Sequence, residues 1–385
     1  IINASSYFAT PTTLASSFLR VDYSLKDKYL LGATVRRDGS SRFGADTRYG
    51  TFPSLTAGWR LSEEAFLAGS SVFTDVKIRG GWGQMGSQLN ADPANQFNLY
   101  GGSANQSYYD LNGTGTSSLQ GFRPTRIGNA DAQWETNTST NIGFDAGLFN
   151  NKVEVVFDWY SKQTEGLLFA PENPGTAGNA QAPSINVGSM SNKGIDLQLI
   201  YRDDYANGLS FEGNFTLTSY TNEIVAIADG YDYFDYGSSR IGTYSRNEVG
   251  HPLSAFYGYE VVGLFQSDGE ATASGQDGAA AGFFQYKDND GVAGITDADR
   301  TFIGNPNPDF TYGLNLQLGY KQFELTAYFY GYQGGDIFND TKWWTDFWPS
   351  FQGQKSTDLL NNSWTPTNTG ATTPKASQSS NFSTN

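Results

Sequence analysis

The chain has 385 residues and a net charge of −15, and it contains 45 glycines, 15% aromatic residues and no cysteine. The negative charge disfavours nucleic acid as a partner because its phosphates would be repelled, and the lack of cysteine excludes a disulfide scaffold and thiol chemistry. Only 38% of the residues are hydrophobic, and no apolar run approaches the roughly 20 residues that a membrane-spanning helix requires.

Alternation of apolar with polar or small residues, the period-two pattern of β-strands, recurs along the chain. In the first clear hairpin Tyr29, Leu31, Ala33 and Val35 alternate with Leu30, Gly32, Thr34 and Arg36, and after a polar loop a second strand ends at Arg60. We predict ten such strands, at residues 18–24, 29–36, 52–60, 76–82, 142–148, 153–160, 195–201, 211–218, 314–319 and 323–330. Residues 256–265 are a candidate extra strand, and the chain after residue 330 is predicted to be loop.

The predicted connections alternate between short and long. Residues 26–28, 150–151, 203–208 and 321–322 form short turns, whereas residues 37–50, 84–122, 167–184 and 223–309 are long and rich in polar residues. A transmembrane β-barrel has short turns on one side of the membrane and long loops on the other. The alternative is a soluble β-sandwich with one buried face, which predicts shorter strands and no such alternation.

Acidic residues lie opposite the apolar rows of several predicted strands; these are Glu154, Asp158, Asp196, Glu212 and Glu324. An unpaired charge in hydrocarbon is costly, so we expect the charged row to face a wet interior and the apolar row to face lipid. Tyrosines near strand ends, such as Tyr23, Tyr29 and Tyr320, would form an aromatic girdle. The sequence therefore predicts an all-β fold, an antiparallel transmembrane β-barrel.

Several short motifs make the identification more specific. Arg36-Arg37-Asp38-Gly39-Ser40-Ser41-Arg42-Phe43-Gly44 is followed by Arg48-Tyr49-Gly50, Phe52-Pro53-Ser54 and Gly58-Trp59-Arg60. Further motifs lie at residues 76–83, 134–135, 141–143, 192–194, 297–313 and 334–339. In this order they resemble the SusC/RagA-type TonB-dependent outer-membrane transporters of the Bacteroidota, and the resemblance covers nearly the whole chain.

The resemblance implies a barrel of about 22 strands with an N-terminal plug, capped by a SusD-like surface lipoprotein. Its members import glycan fragments, and sometimes peptides, and TonB opens the plug. The whole chain, residues 1–385, would then be part of one barrel domain. We expect it to be a piece of a longer protein that lacks the plug, the TonB box and the final strands.

We expect no cofactor, and the alternative is a Ca²⁺ ion bound by one loop. Asp288, Asp290 and Asp299 fall at positions 1, 3 and 12 of a loop that resembles the family's Ca²⁺ loop. Val292 and Ala293 stand where an acidic ligand and the sharp-turn glycine are expected. These two departures favour a plain extracellular turn over a cation site.

Two aromatic clusters are candidate ligand-binding sites, because sugar rings stack on such side chains. The first contains Trp343, Trp344, Phe347 and Trp348; the second contains Tyr231, Tyr233, Phe234 and Tyr236. Loop packing or contact with the lipoprotein cap is the alternative role for both.

The Arg37–Gly44 motif is predicted to be structural, with arginine–aspartate pairing and glycine turns fixing the loop. A single histidine, His251, leaves no basis for a catalytic triad or a histidine-rich metal site. We therefore expect no enzyme activity.

The favoured hypothesis is a TonB-energised importer of oligosaccharides or oligopeptides in the bacterial outer membrane, working with lipid, TonB and a SusD-like lipoprotein as partners. The alternative is a barrel subunit with a structural or assembly role in an outer-membrane complex. The sequence does not identify the substrate or the particular partner.

Overall fold

Ten long strands pair in chain order to form one antiparallel sheet in the computed structural model, as predicted. They are β1 (Leu14–Leu25), β2 (Tyr29–Ser40), β3 (Tyr49–Arg60), β4 (Phe73–Ser87), β5 (Glu135–Leu148), β6 (Val153–Glu165), β7 (Gly188–Asp204), β8 (Leu209–Ile227), β9 (Phe310–Tyr320) and β10 (Phe323–Gln333). The sheet is open, with β1 and β10 at its edges. The strands have 11 to 19 residues, so most extend beyond the limits that alternation alone suggested.

The structure describes residues 11–116, 118–170, 175–227, 231–239, 241–348 and 353–383, and parts of the predicted loops at 171–174, 228–230 and 349–352 lie outside these ranges. The chain divides into two compact units. The wall unit, residues 1–232 and 309–333, contains the ten-stranded sheet; the loop unit comprises residues 233–308 and 334–385.

The wall unit also contains short elements in its connections. Its strands are Leu99–Gly101, Tyr109–Asp110, Ser118–Leu119, Arg123–Arg126, Leu168–Phe169 and Ile185–Asn186, and its 3₁₀ turns are Leu61–Glu63 and Gly175–Ala177. None of the helices among the described residues of the chain is both long and apolar enough to cross a membrane.

The loop unit is built on a four-stranded sheet of Tyr233–Ser239, Gly242–Glu248, Ala255–Gly258 and Thr301–Gly304, beside the strand pair Val261–Leu264 and Phe284–Tyr286. The candidate strand at 256–265 is thus two strands. Its helical segments are α-helices Asp268–Ser274, Asp340–Lys342 and Thr357–Asn362, the 3₁₀ turn Asp297–Asp299 and the π-helical turn Trp343–Phe347. The prediction of loop throughout after residue 330 was therefore wrong: β10 continues to Gln333, and short capped helices follow, too short to show a hydrophobic period.

The strand register separates apolar from polar side chains across the whole sheet. One row of directly paired positions runs through Leu25, Tyr29, Trp59, Ile78, Phe144, Phe157, Leu197, Leu217, Tyr312 and Gly331. The adjacent row, one residue along each strand, runs through Ser24, Leu30, Gly58, Arg79, Gly143, Asp158, Asp196, Thr218, Thr311 and Tyr332. Because successive side chains point to opposite faces, the sheet has an apolar face and a polar face.

The apolar face is not the inside of a globular core. Phe157, Leu197 and Phe215 on this face are only half-buried, and Leu325 is 64% exposed. At the short-turn end, Tyr29 stacks on Trp59 with 6.3 Å between ring centroids, and both donate hydrogen bonds to Glu64. Tyrosine and tryptophan with a wet polar tip suit a membrane–water boundary.

The connections at the two ends of the sheet differ in length. Residues 26–28, 61–72, 149–152, 205–208 and 321–322 connect strands at one end, and residues 41–48, 88–134, 166–187 and 228–309 at the other. Lys26, Asp27, Asn150 and Asn151 have positive φ, the backbone that tight hairpin turns need. The strict alternation predicted from the sequence was wrong at the first two of these connections, because residues 41–48 form a shorter connection than residues 61–72; the later connections alternate as predicted.

Candidate functional site

The polar face carries an ion-pair network that crosses three neighbouring strands. Arg79 of β4 donates hydrogen bonds from two guanidinium nitrogens to the carboxylate of Asp158 of β6, with Nη2 lying 2.6 Å from Oδ2. Its Nε donates to Asp145 of β5 at 3.0 Å, and Lys77 Nζ lies 2.7 Å from the same carboxylate. These side chains are 21% to 34% exposed, so this face is wet but not open to bulk solvent everywhere.

A second ion-pair group lies nearer the short turns. Arg202 of β7 contacts Glu154 at 2.8 Å and Glu212 at 3.5 Å. Asp158, Glu154 and Glu212 were expected on the wet face, and Arg79 and Arg202 pair with them. Lys77 and Asp145 were not among the expected charges. The sequence showed which face carries charge, but the pairing required the strand register.

The Arg37–Gly44 motif ends β2 and begins the connection to β3. Arg36 Nε donates to Asp38 Oδ2 at 2.8 Å, and the Arg37 guanidinium lies 4.7 Å from the centre of the Tyr49 ring. The Ser40 hydroxyl donates to Gln88 Oε1. Arg42 Nη1 donates to the backbone carbonyls of residues 88, 89 and 91. The motif therefore fastens the 88–134 connection to the end of β2.

A small apolar core lies among the long connections of the wall unit. We call it the connection core; it consists of Phe43, Phe52, Ala91, Ala132, Trp134 and Leu168. The Trp134 ring lies 5.2 Å from that of Phe43 and 5.7 Å from that of Phe52, and its Nε1 donates to the carbonyl of Arg48 at 3.1 Å. Sequence reasoning recognised Phe43 and Trp134 as motif residues but could not place them in contact.

Two buried polar clamps close the same region. Asn95 donates to the carbonyl of Ser184 at 3.0 Å and accepts from its N–H at 2.7 Å. Glu135, 3% exposed, accepts from Asn90 at 2.8 Å and from the N–H of Leu168 at 2.9 Å. These contacts join the 88–134 and 166–187 connections, and no sequence pattern had singled out Asn95 or Ser184.

The structure brings the three acidic residues of the candidate Ca²⁺ loop together. Ligand atoms of Asp288, Asp290 and Asp299 lie within 4.8 Å of one another. Asp299 is fully buried, and its two carboxylate oxygens accept N–H groups of Asn289 at 2.8 Å and Thr296 at 2.8 Å. These backbone donors, that of Thr296 above all, hold the pKa of the Asp299 carboxyl below its ordinary value.

The donor set of this loop fits a cation only in part. Three carboxylates suit Ca²⁺, but Val292 uses its N–H to bind Asp290 at 2.8 Å and adds no side-chain ligand. The buried carboxylate of Asp299 is already satisfied by the backbone. A plain turn therefore stays the prediction for this loop, with Ca²⁺ binding as the alternative.

The tryptophan cluster is a packed unit rather than three free rings. Trp343 is buried, with 4.9 Å between its ring centroid and those of both Trp344 and Trp348. Trp344 and Trp348 are half-buried. Lys355 Nζ donates to the carbonyl of Trp348 at 2.7 Å. Any stacking surface would therefore be offered by Trp344 and Trp348, with Trp343 beneath them.

The tyrosine cluster is divided between the two units. Tyr231 belongs to the wall unit and is 48% exposed, whereas Tyr233 belongs to the loop unit and is 44% exposed. One face of the Tyr233 ring is covered by the Arg246 guanidinium at 3.4 Å from the ring centre, and the Tyr257 ring lies 3.8 Å from the same guanidinium. This cation–π sandwich leaves Tyr233 one face for any ligand.

Comparison with known proteins adds to this geometry. Residues 2–348 match the family model described as TonB dependent receptor-like, beta-barrel. The chain is 32% identical over 382 residues to TonB-dependent receptor P3 of Formosa agariphila, covering 96% of this chain and 36% of that protein. It is 31% identical over 327 residues to TonB-dependent receptor SusC of Bacteroides thetaiotaomicron, covering 83% and 31%. The chain thus spans about a third of the length of these relatives.

A solved structure of the RagAB peptide transporter has a similar fold. It superposes with a TM-score of 0.80 at 24% identity, and the match covers 97% of this chain and 39% of that one. At this identity the match shows a shared fold, and the shared fold extends over nearly all of the chain.

Proposed function

The chain belongs to the family of TonB-dependent receptor-like β-barrels, and from this premise we propose that it forms part of the wall of a TonB-energised importer of oligomeric nutrients. It is an outer-membrane protein and not an enzyme. The observation that carries the proposal is the continuous apolar row paired across ten strands beside a polar row. Such a sheet separates lipid from a wet passage.

The charges of the polar face support a wet passage rather than a packed interior. The Arg79 and Arg202 networks stay partly exposed, which a protein core would not allow at this density. In the importer these groups line the barrel interior, where plug and cargo are in contact with water. No bond of the cargo is broken; the proposed mechanism is passage of the intact cargo through the barrel when the plug opens.

We propose a SusD-like surface lipoprotein and TonB as partners, the latter acting through a part of the protein that precedes this chain. Similarity to SusC and to the RagAB fold supports this assignment. Oligosaccharides and oligopeptides are the two proposed cargo classes. The RagAB structure is described as a peptide transporter, which keeps peptides among the candidates.

We also propose that Trp344 and Trp348 contact ligand. Asp346, 7% exposed beside them, has a buried Oδ1 without a hydrogen-bond partner, and so does the indole Nε1 of Trp343. Groups of this kind are rare in folded proteins, and both a sugar and a peptide could pair with them if the segment shifts. Binding of labelled oligosaccharides and peptides should weaken in the Trp344→Ala receptor, whereas the control Tyr109→Ala, an exposed tyrosine outside both aromatic clusters, should leave it unchanged.

Uptake by whole cells tests the function. Cells carrying the full-length receptor should accumulate labelled oligosaccharide or oligopeptide, and deletion of the receptor or of TonB should abolish accumulation. Accumulation that persists without TonB would refute energised import. An intact outer-membrane complex that accumulates neither cargo class would favour the structural role instead.

A further inference from the structure

Unsatisfied polar atoms are concentrated at one place in the loop unit. Five buried side-chain nitrogen or oxygen atoms of the described residues have no hydrogen-bond partner, and three of them belong to Asp340, Trp343 and Asp346. These three are one carboxylate oxygen of each aspartate, Oδ1, and the indole Nε1 of the tryptophan. Such atoms are rare in folded proteins, so three in one short segment need a common explanation.

The backbone of this segment is also unusual. Residues Trp343–Phe347 form a π-helical turn, which is closed by a hydrogen bond of 2.8 Å from the N–H of Trp348 to the carbonyl of Trp343. Single π-helical turns occur frequently at functional sites. The ring of Phe347 lies 5.4 Å from that of Phe284, so the turn is fixed by packing within the loop unit although its polar atoms are unpaired.

The two carboxylates of the segment carry negative charge with which no described basic residue forms an ion pair. Asp346 is 7% exposed, and neither Asp346 nor Asp340 has an ion-pair partner among the described residues. The nearby Lys342 pairs instead with Asp358, with 3.8 Å between Nζ and Oδ2. Because a buried charge without a counter-charge is costly, a cation supplied from outside would stabilise the segment.

The tryptophans of the same segment suit a cation as well. The ring centroids of Trp343, Trp344 and Trp348 lie 4.9 to 6.3 Å apart, and Trp344 Nε1 donates to Asp340 Oδ2 at 3.2 Å. The face of an indole ring attracts a positive charge. Trp344 and Trp348 are half-buried, so a ligand can approach from their exposed side. The buried oxygens become accessible when one of these rings turns, a change that is common on binding.

We propose that Asp340, Asp346 and the three tryptophans bind the cationic side chain of a peptide, arginine above all. A guanidinium is planar, so it stacks on an indole face and donates to carboxylate oxygens at the same time. The Trp343 Nε1 would donate to a backbone carbonyl of the same peptide. A neutral sugar could donate hydroxyl groups to the carboxylates, but it would leave both negative charges without a counter-charge. The inference rests on the proposed import function and deepens it, since it names arginine-containing peptides as cargo.

Fluorescence anisotropy with the purified full-length receptor in detergent tests the site. The probes are two labelled alanine peptides with blocked termini, one with a central arginine and one with a central citrulline, the neutral analogue of arginine. The arginine peptide should bind at least about tenfold more tightly, the lower end of what a hydrogen bond to a charged group contributes. Equal binding of the two peptides would overturn the proposal, and so would tighter binding of a labelled glucosamine oligomer, whose amines are also cationic.

A charge-removing variant shows whether the carboxylate recognises the cation. Asp346→Asn keeps the shape of the side chain, and it should abolish the preference for arginine while leaving the affinity for the citrulline peptide unchanged. Asp277→Asn removes an exposed carboxylate of the same unit, and as the matched control it should keep the preference. A preference for arginine that survives in Asp346→Asn would contradict the assignment.

Thermal unfolding without peptide separates ligand binding from a structural role of Asp346. Asp346→Asn removes an unpaired buried charge, so it should not lower the unfolding temperature. A fall larger than that in Asp277→Asn would mean that the carboxylate stabilises the fold, and the proposal would be wrong. Uptake is a separate measurement: if cells import neither cargo class while the purified receptor still prefers arginine, the import function fails and the binding site stands.

Discussion

Replacing Trp134 with alanine should open the connection core while leaving the ten-stranded sheet assembled. Trp134 is 9% exposed, and truncating a buried aromatic residue to alanine costs about 3–5 kcal/mol. Loss of the hydrogen bond from its Nε1 to Arg48 adds about 1 kcal/mol. We take about 4 kcal/mol, the lower end of this sum, for the whole change; it raises the local opening equilibrium about 700-fold, since each 1.4 kcal/mol is tenfold.

Hydrogen exchange measured by mass spectrometry on the purified receptor can detect this opening. Amides of residues 88–96 and 129–135 should exchange up to about 700-fold faster in Trp134→Ala, because local opening limits their exchange. Amides of the central strands β6 and β7 should be unchanged. Trp82→Ala is the matched control, because Trp82 is a 39% exposed residue of β4 outside the connection core.

Comparison of the two variants decides whether the core holds the connections. If exchange of residues 88–96 in Trp134→Ala stays within about threefold of that in Trp82→Ala, the core contributes less than about 0.7 kcal/mol and the reasoning is wrong. Faster exchange throughout the sheet would also refute it, because the connections and the wall would then unfold as one unit.

Three further predictions concern other parts of the chain. Arg79→Gln should lower the thermal unfolding temperature of the receptor in detergent, because loss of the ion pairs with its two carboxylate partners costs about 2–3 kcal/mol. The control Arg20→Gln breaks an ion pair with Asp22 whose side chains are 63% and 59% exposed, and it should leave the unfolding temperature unchanged. Equal shifts in the two variants would contradict a stabilising role of the Arg79 network. Gly44→Ala would place a Cβ against a backbone carbonyl oxygen of the 88–134 connection and should make surface loops of intact cells more sensitive to protease, whereas Gly175→Ala, which meets nothing within 4 Å, should not. The pKa of the Asp299 carboxyl is lowered in the folded protein, so its ionised form stabilises the loop at pH above about 3.9, and this contribution is lost as the pH falls through the lower folded value. Amide hydrogen exchange of residues 288–299, corrected for its intrinsic rate, should therefore become faster between pH 7 and pH 3. Asp299→Asn should show the faster exchange already at pH 7, and added Ca²⁺ should leave exchange in the wild type unchanged.

The sequence determined the sheet because apolar and polar residues alternate along each membrane strand with a period of two. Ten strands, their order along the chain and the alternation of the later connections followed from residues such as Phe157 and Asp158, which differ in polarity and point to opposite faces. The strand limits were less well determined. The polar residues at the ends of β7 and β8 still pair between the two strands, but they no longer show the alternation of apolar and polar residues from which strands were predicted.

The Arg37–Gly44 motif could be predicted as a structural loop, but its role in holding the 88–134 connection could not. Arg42 reaches carbonyls 46 to 49 residues away, and no local pattern encodes such a partner. The same holds for Trp134 in the connection core and for the buried polar contacts of Glu135 and Asn95, because all three bind residues of connections far away in the sequence.

Period-two polarity by itself determined which face of each strand meets lipid and which meets water. Only the tertiary structure decided the pairings, because register places Arg79 against Asp158 and Tyr160 against Gly194 across strands far apart in sequence. A charge, an aromatic ring and a glycine have no fixed role until a neighbouring strand supplies the partner or the gap. The physical reason is that polarity is a property of each residue, whereas pairing and clearance are properties of two strands together.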